Sequence, residues 1–248
     1  MSLSRRIKNV LRRSGLARGL VSCFRGAKSD VQILMWRMVR NRRVRTYLRA
    51  TAAGKLHLGA SGNCLDGWLN SDIVPRHGMI YLDVRTRFPL QDNTIDYVFA
   101  EHLIEHIDHE DALTMFRETW RVLKPGGRIR IATPDLEVLV GLHNTRRTDA
   151  QQNYVDWIVE RCIPWVNDCK EVFVINNAFR AWGHRFLYDR RILSSTLSKI
   201  GFTDIRFYKP GDSADCHLRG LEAHGVEIGN EAMNQFETFV IEGQAAKH

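Results

Sequence analysis

From Lys55 onward, short apolar runs alternate with longer segments in which apolar residues recur every three or four positions. Lys55–Leu58 (KLHL), Trp68–Val74, Met79–Leu82, Ile95–Ala100 (IDYVFA) and Arg128–Thr133 are too short for helices and are bounded by turn-forming residues, so the pattern predicts five strands. Asp111–Leu123 carries the helical period and stops at Lys124-Pro125-Gly126-Gly127, which predicts an amphipathic helix between the fourth and fifth strands. Tyr188–Ile200 predicts another, ended by Gly201, with Phe202–Tyr208 and Phe236–Glu242 as closing strands. Upstream, Val31–Ala50 sets Ile33, Leu34, Trp36, Met38, Val44, Tyr47 and Leu48 among arginines and predicts one or two helices. Alternating strands and helices with short glycine and proline turns predict an α/β fold, a mostly parallel sheet covered by helices on both faces. Between Leu136 and Trp182 regularity lapses, and Trp157, Trp165, Phe173, Phe179 and Trp182 gather among polar residues. This segment is read as a cap over the site, in preference to a helical insertion that completes the core, because ligands in such sheets bind outside the carboxyl ends of the strands.

The length of 248 residues and the 44% apolar content suit one α/β domain with added segments and no second independent domain. The expected divisions are a basic helical arm over 1–54, a domain over 55–243 with its insertion at about 136–182, and a tail over 244–248. No apolar run approaches the roughly 18 to 20 residues of a membrane span, and the first thirty residues lack a secretory apolar stretch, so a soluble cytoplasmic protein is expected. Cys23, Cys64, Cys162, Cys169 and Cys216 form no C-x-x-C pair, which argues against a disulfide framework or a zinc ribbon.

Charge divides the chain. Residues 1–55 hold 15 Lys and Arg against the single acid Asp30, so the net charge of +8 is a basic arm of +14 on a remainder of −6. Leu3, Ile7, Val10 and Leu11 share one helical face, with Arg5, Arg6, Lys8, Arg12 and Arg13 over the rest. This pattern predicts peripheral contact of residues 1–30 with an anionic membrane. The other readings of the arm are a solvated segment that serves solubility and an organellar transit peptide. Nucleic acid is the weaker partner, because the arm lacks interleaved aromatics and any recognised RNA-reading module.

The chemistry concentrates first in Leu56–Asp72 (LHLGASGNCLDGWLNSD), a strand, a glycine-bearing turn and a second strand ending in a carboxylate. Gly59 and Gly62 let backbone approach a ligand, and Asp72 stands where a ribose diol needs an acceptor. The turn GASGNC lacks the third glycine of G-x-G-x-x-G and the Gly-Lys-Ser/Thr of a P-loop, so a nucleoside without a pyrophosphate fits better.

With LHLGASGN, NSDI, YLDVRTRFPLQDNTIDYVFAEHLIEHI, LKPGGRIRIATPD, WGHRFLYD and GFTDI in this order, the chain from Lys55 to Gly243 resembles the class I S-adenosylmethionine-dependent methyltransferases. Within them it looks like the small type 11 group associated with cell-surface polysaccharide genes. The resemblance implies a Rossmann-like seven-stranded sheet with the last strand antiparallel and S-adenosyl-L-methionine across the ends of strands one to four. It implies that Gly59, Ala60, Ser61, Gly62 and Asn63 face the methionine part of the cofactor, Asp72 the ribose hydroxyls, and Asp83 the adenine edge, with Glu101 at the carboxyl end of strand four. The family usually carries an acid where His57 stands. A neutral histidine can still accept from the ammonium end.

His102-Leu103-Ile104-Glu105-His106 also matches H-x-x-E-H, in which two histidines one helical turn apart hold zinc for a hydrolase. The favoured reading is a turn after strand four, with Leu103, Ile104 and Ile107 packed inward and the polar groups facing cofactor or substrate. His184, in WGHRFLYD, is the first candidate for a base near the acceptor, and Asp135, after Pro134, the second. Their alternatives are a structural histidine bonded to a backbone carbonyl and a cap on the helix at Leu136. The expected reaction is methyl transfer to an oxygen or nitrogen of a small sugar or glycan-related acceptor. The rivals are a lipid or quinone precursor, RNA, and a methyltransferase-fold binding module without catalysis.

Overall fold

The computed structural model describes residues 15–144 and 146–247, with side chains from residue 31, so the expected membrane face of Leu3, Ile7, Val10 and Leu11 lies outside the described residues. A single long helix, α1 (Gly15–Ala50), leads to a seven-stranded sheet. Its strands are β1 (Lys55–Leu58), β2 (Leu69–Asp72), β3 (Ile80–Tyr81), β4 (Ile95–Glu101), β5 (Leu123–Pro134), β6 (Phe202–Tyr208) and β7 (Thr238–Ala245), in the order β3-β2-β1-β4-β5-β7-β6. The first five are parallel, and β7 runs antiparallel to both β5 and β6. This is the α/β topology expected from the sequence. β7 continues to Ala245, past the boundary expected at 243.

The two faces of the sheet differ in chemistry. One buries Leu56 and Leu58 of β1, Val98 and Ala100 of β4, and Ile129 and Ile131 of β5. Against them pack α2 (His109–Val122), through Ala112, Met115, Phe116 and Val122, and α6 (Arg190–Ile200), through Leu193 and Leu197. The three- and four-residue spacing of those side chains makes each helix amphipathic, and burying each large one is worth roughly 1.5–3 kcal/mol. Asp189 caps α6 by accepting the Ile192 N–H at 2.7 Å, and Gly201 ends it at φ 116°, where a Cβ would meet the Trp120 ring at 2.9 Å.

The opposite face carries a row that is polar except for Phe99, with one residue in register from each of β2, β1, β4, β5 and β7: Asn70, His57, Phe99, Arg130 and Glu242. The β1–β2 connection, residues 59–68, holds turns where a parallel crossover usually has a helix. Asn70 fastens it, accepting the Leu65 N–H at 2.9 Å and donating to the carbonyls of Leu65 and Trp68. The segment after β6 takes over the covering role: Leu218 packs on Trp68 and Phe99, and Glu222 reaches Arg130. Arg130, fully buried, donates to Glu222 at 2.7 Å, Glu242 at 2.6 Å and the Asp212 carbonyl at 2.8 Å.

The segment expected as a helical cap insertion contains three helices, α3 (Leu136–Gly141), α4 (Asp149–Cys162) and α5 (Glu171–Arg180). Thr148 and Gln151 form a capping box at the start of α4. Leu139, Tyr154, Val155, Ile158, Val159 and Val174 give these helices an apolar cluster of their own. Two short helices, α7 (His224–Glu227) and α8 (Glu231–Glu237), complete the carboxyl side of the sheet. Among the described residues no helix is long and apolar enough to cross a membrane.

Candidate active site

The carboxyl edge of the sheet divides into two neighbouring sites. Along β3, β2, β1 and β4 stand Asp83, Asp72, the 59–63 turn and Glu101, the order in which the sequence placed cofactor-binding groups. Gly59 has φ 64°, and a Cβ there would come within 2.8 Å of Leu103, so both conformation and space require glycine. The Ala60 N–H bonds the Ser71 carbonyl at 2.9 Å, the Asn63 N–H bonds the Ala60 carbonyl at 2.7 Å, and Ser61, at φ 44°, donates its N–H to Asp72 Oδ2 at 3.1 Å. Asp72 Oδ1 accepts the Val74 N–H at 2.8 Å, which leaves each oxygen a further lone pair for a ligand hydroxyl.

The other cofactor candidates are held differently. Asp83 is clamped in two-point fashion by Arg85, with Nε and Nη each at 2.8 Å, and that hydrogen-bonded pairing holds its carboxyl below the usual range. His57 lies inside the polar row on the far face, 1% exposed, its Nδ1 3.2 Å from Asn70 Oδ1 and its ring on Phe99. Because the amide oxygen only accepts, Nδ1 carries the proton. Burial pushes this imidazole down to about 4, so it is neutral near pH 7. Glu101 accepts the Ala223 N–H at 3.0 Å and the His224 N–H at 2.9 Å, closing β4 onto α7, and burial raises its carboxyl. Residues 221–227 thereby lie across the 59–63 turn: Asn63 Nδ2 donates to the Leu221 carbonyl at 3.3 Å, and the Glu227 carboxylate sits 3.5 Å from where a Cβ of Gly62 would be.

The second site is a cavity of about 400 Å³ above β4, β5 and β7, lined by His102, His106, His184, His224, Tyr154 and Trp182 among others. H-x-x-E-H folds as the sequence favoured, as a strand end and a 3-10 turn over Ile104–His106 with Ile104 buried. No α-helix sets His102 and His106 one turn apart. His102, at φ 44°, stacks on His224 with centroids 3.8 Å apart and lies 3.2 Å from Thr238 Oγ1. Its Nδ1 is 2.9 Å from Oε1 of the fully buried Glu105, out of line for a hydrogen bond, so Oε1 has no donor. Burial alone would push the His102 imidazole down; the contact with Glu105, aided by Glu237 and Glu101, outweighs it and raises it. Tyr154 donates to Glu237, and burial together with that carboxylate keeps its phenol protonated.

Of the two base candidates, only His184 lines the cavity. Trp182 and Gly183 both take positive φ, turning the chain so that His184 Nδ1 reaches the Ala178 carbonyl at 2.7 Å. A carbonyl accepts only, so Nδ1 holds a proton, and the lone pair of the neutral imidazole is on Nε2. Asp135 instead caps α3, accepting the Glu137 N–H at 3.0 Å, and pairs with Arg190 at 3.0 Å, the capping role that was its alternative. His224, Glu227, Tyr154 and Glu237 carried no motif in the sequence, and only tertiary folding brings them to the cavity.

The model of a methyltransferase domain matches residues 71–131, from β2 to β5. No curated protein matches the sequence. Among solved structures, a SAM-dependent methyltransferase from Archaeoglobus fulgidus is 15% identical, covers 84% of this chain and 94% of its own, and has a TM-score of 0.47. One from Mesorhizobium loti is 16% identical, covers 79% and 95%, and also scores 0.47. A Haemonchus contortus phosphoethanolamine N-methyltransferase 2, solved with S-adenosyl-L-methionine, is 13% identical, covers 84% of this chain and 52% of its own, and scores 0.40.

Proposed function

We propose that this chain is an S-adenosylmethionine-dependent methyltransferase, a reading supported by the methyltransferase-domain match over residues 71–131 and by the sheet order, and that it methylates a small hydroxylated acceptor, a sugar or glycan-related molecule, bound in the histidine-lined cavity. The observation that carries this reading is the adjacency of the two sites. Glu101 ends β4 at the boundary between the 59–63 turn and the cavity, so a methyl group presented from one meets an oxygen held in the other.

The cofactor side fits S-adenosylmethionine on its own geometry. Asp72 keeps acceptor capacity for two ribose hydroxyls, each hydrogen bond to a charged group being worth roughly 1.5 to 3 kcal/mol. Asp83, neutralised by Arg85, borders the adenine. The acid missing at position 57 has a substitute in Glu227 beside Gly62, and Glu101 adds a second carboxylate. When bound, the cofactor supplies a methyl group made electrophilic by its sulfonium. The protein aligns the acceptor with it, and orientation of this kind supplies the equivalent of about 7 to 11 kcal/mol.

On the acceptor side, Trp157, Trp182 and Tyr154 offer ring faces, while His102, His106 and His224 offer polar edges, a combination suited to a ring with apolar faces and hydroxyl rims. His184, whose Nδ1–H is held by the Ala178 carbonyl, offers Nε2 of its neutral form to take the proton of the hydroxyl being methylated. The test is methyl transfer from labelled S-adenosylmethionine to parallel panels of sugars, nucleotide sugars and oligosaccharides, quinone precursors and RNA. Label in the sugar panel supports the reading, and label confined to another panel replaces the acceptor class.

A peripheral membrane role for the arm gains support from α1, whose exposed Val31, Leu34, Met35, Met38 and Val39 are flanked by Arg37, Arg40, Arg42, Arg43 and Arg45, with no acid after Asp30. Removing residues 1–30 is expected to weaken co-sedimentation with anionic vesicles, and unchanged binding removes them from that role.

A further inference from the structure

We propose that Glu105, His106 and His184 form a site for one divalent transition-metal ion, with its open positions facing the acceptor cavity. One nitrogen or oxygen from each of the three lies within 4.8 Å of the others. Metal bonds of about 2.0–2.2 Å set donors roughly 3.3 Å apart, so the cluster closes by small side-chain rotations. Two imidazoles and one carboxylate select ions such as Zn²⁺, Co²⁺, Fe²⁺ or Mn²⁺ over the all-oxygen preferences of Mg²⁺ and Ca²⁺.

The surroundings have the form of a supported ligand set. His184 is turned into place by the 182–183 turn and its Nδ1 is anchored on the Ala178 carbonyl, which fixes the tautomer and presents Nε2. Glu105 is fully buried, accepts Thr133 Oγ1–H at 3.1 Å, and has His102 Nδ1 2.9 Å from its Oε1, so its carboxylate is held in place beside the two imidazoles of the cluster. The backbone ties the two halves together, since the N–H groups of Arg185 and Phe186 both bond the Glu105 carbonyl, at 2.7 and 3.3 Å. His106 and His184, rings 4.9 Å apart, line the same cavity, so a bound ion would hold acceptor oxygens there and engage the Nε2 lone pair that otherwise serves as base. That role rests on the methyltransferase reading. The binding of the ion does not.

The experiment is titration of chelator-stripped full-length protein with Co²⁺, followed by its visible d–d absorption and by calorimetry, with Zn²⁺ as competitor. One equivalent is expected to bind and to be displaced by Zn²⁺. His184→Ala and His106→Ala should weaken binding by more than the roughly 10- to 100-fold that loss of an outer-shell partner costs, while His77→Ala, distant in the fold, should not. Glu105→Gln serves if either histidine variant fails to fold. Absence of stoichiometric binding at millimolar Co²⁺, or equal binding by wild type and the site variants, overturns the proposal. S-adenosylhomocysteine affinity is measured on the same samples. Its loss with Co²⁺ binding intact would count against the methyltransferase reading alone.

Discussion

Glu101, the last residue of β4, accepts the backbone N–H of Ala223 at 3.0 Å and so fixes the start of α7 over the boundary between the cofactor turn and the acceptor cavity. Glu101→Ala is expected to release residues 221–228. Hydrogen exchange at the amides of Ala223 and His224 should rise well above that of β4, and S-adenosylhomocysteine should bind more weakly. Unchanged protection of those amides would show that the segment is held by other contacts.

His57 gives the protein a defined acid sensitivity. Its native value of about 4 lies below the roughly 6.5 of an unfolded histidine, so between these pH values the unfolded chain binds a proton that the native state excludes. Stability from this group is complete above pH 6.5 and is lost as pH falls toward 4, by on the order of 3 kcal/mol. Denaturant unfolding of His57→Asn across this range should show a flatter pH dependence than wild type. An identical slope would place the titration elsewhere.

Arg130 bridges Glu222 and Glu242 at the centre of the polar face. Arg130→Met leaves both carboxylates buried without their cation and should cost roughly 3–5 kcal/mol. Adding Glu242→Leu should recover part of that loss, since Glu222 retains the Gly211 N–H at 2.8 Å. Purely additive losses in this double-mutant cycle would mean that the two side chains act independently.

His184→Ala is expected to lower turnover by roughly 10² to 10⁴ and to leave cofactor affinity intact, because the side chain faces the acceptor cavity and the cofactor turn lies on the other side of Glu101. A parallel loss of both would mean that His184 serves to hold the 182–186 turn.

Most strands were legible because apolar residues run or alternate between turn residues, and the ends of β1 and β6 fall where the pattern put them. β4 and β5 extend beyond their apolar cores through backbone pairing, which side-chain patterns do not record. The insertion over 136–182 was legible as a helical cap but not as separate helices: Tyr154, Val155, Ile158 and Val159 follow helical spacing in α4, while Trp165 lies in the turn after it. At the candidate site, the positive φ of Gly59 and the place of Asp72 at the end of β2 were readable because they follow from backbone freedom and the strand pattern. Asp83 follows β3 and Glu101 ends β4, while their partners Arg85, Ala223 and His224 were not foreseen. His57 is buried in the row with Asn70 and Phe99, a setting that strand alternation fixes and that its place in the motif did not reveal. His224 and Glu237 reach the cavity from helices of four and seven residues, too short for a periodic signal.

The most direct test of the two-site account is calorimetric binding of S-adenosylhomocysteine to the wild type and to Asp72→Ala. The account predicts one equivalent bound by the wild type and an affinity lower by roughly an order of magnitude or more when the Asp72 carboxylate is removed, as loss of charge-assisted hydrogen bonds requires. No binding to the wild type, or equal affinity in the variant, would contradict a cofactor held along the β3-β2-β1-β4 edge.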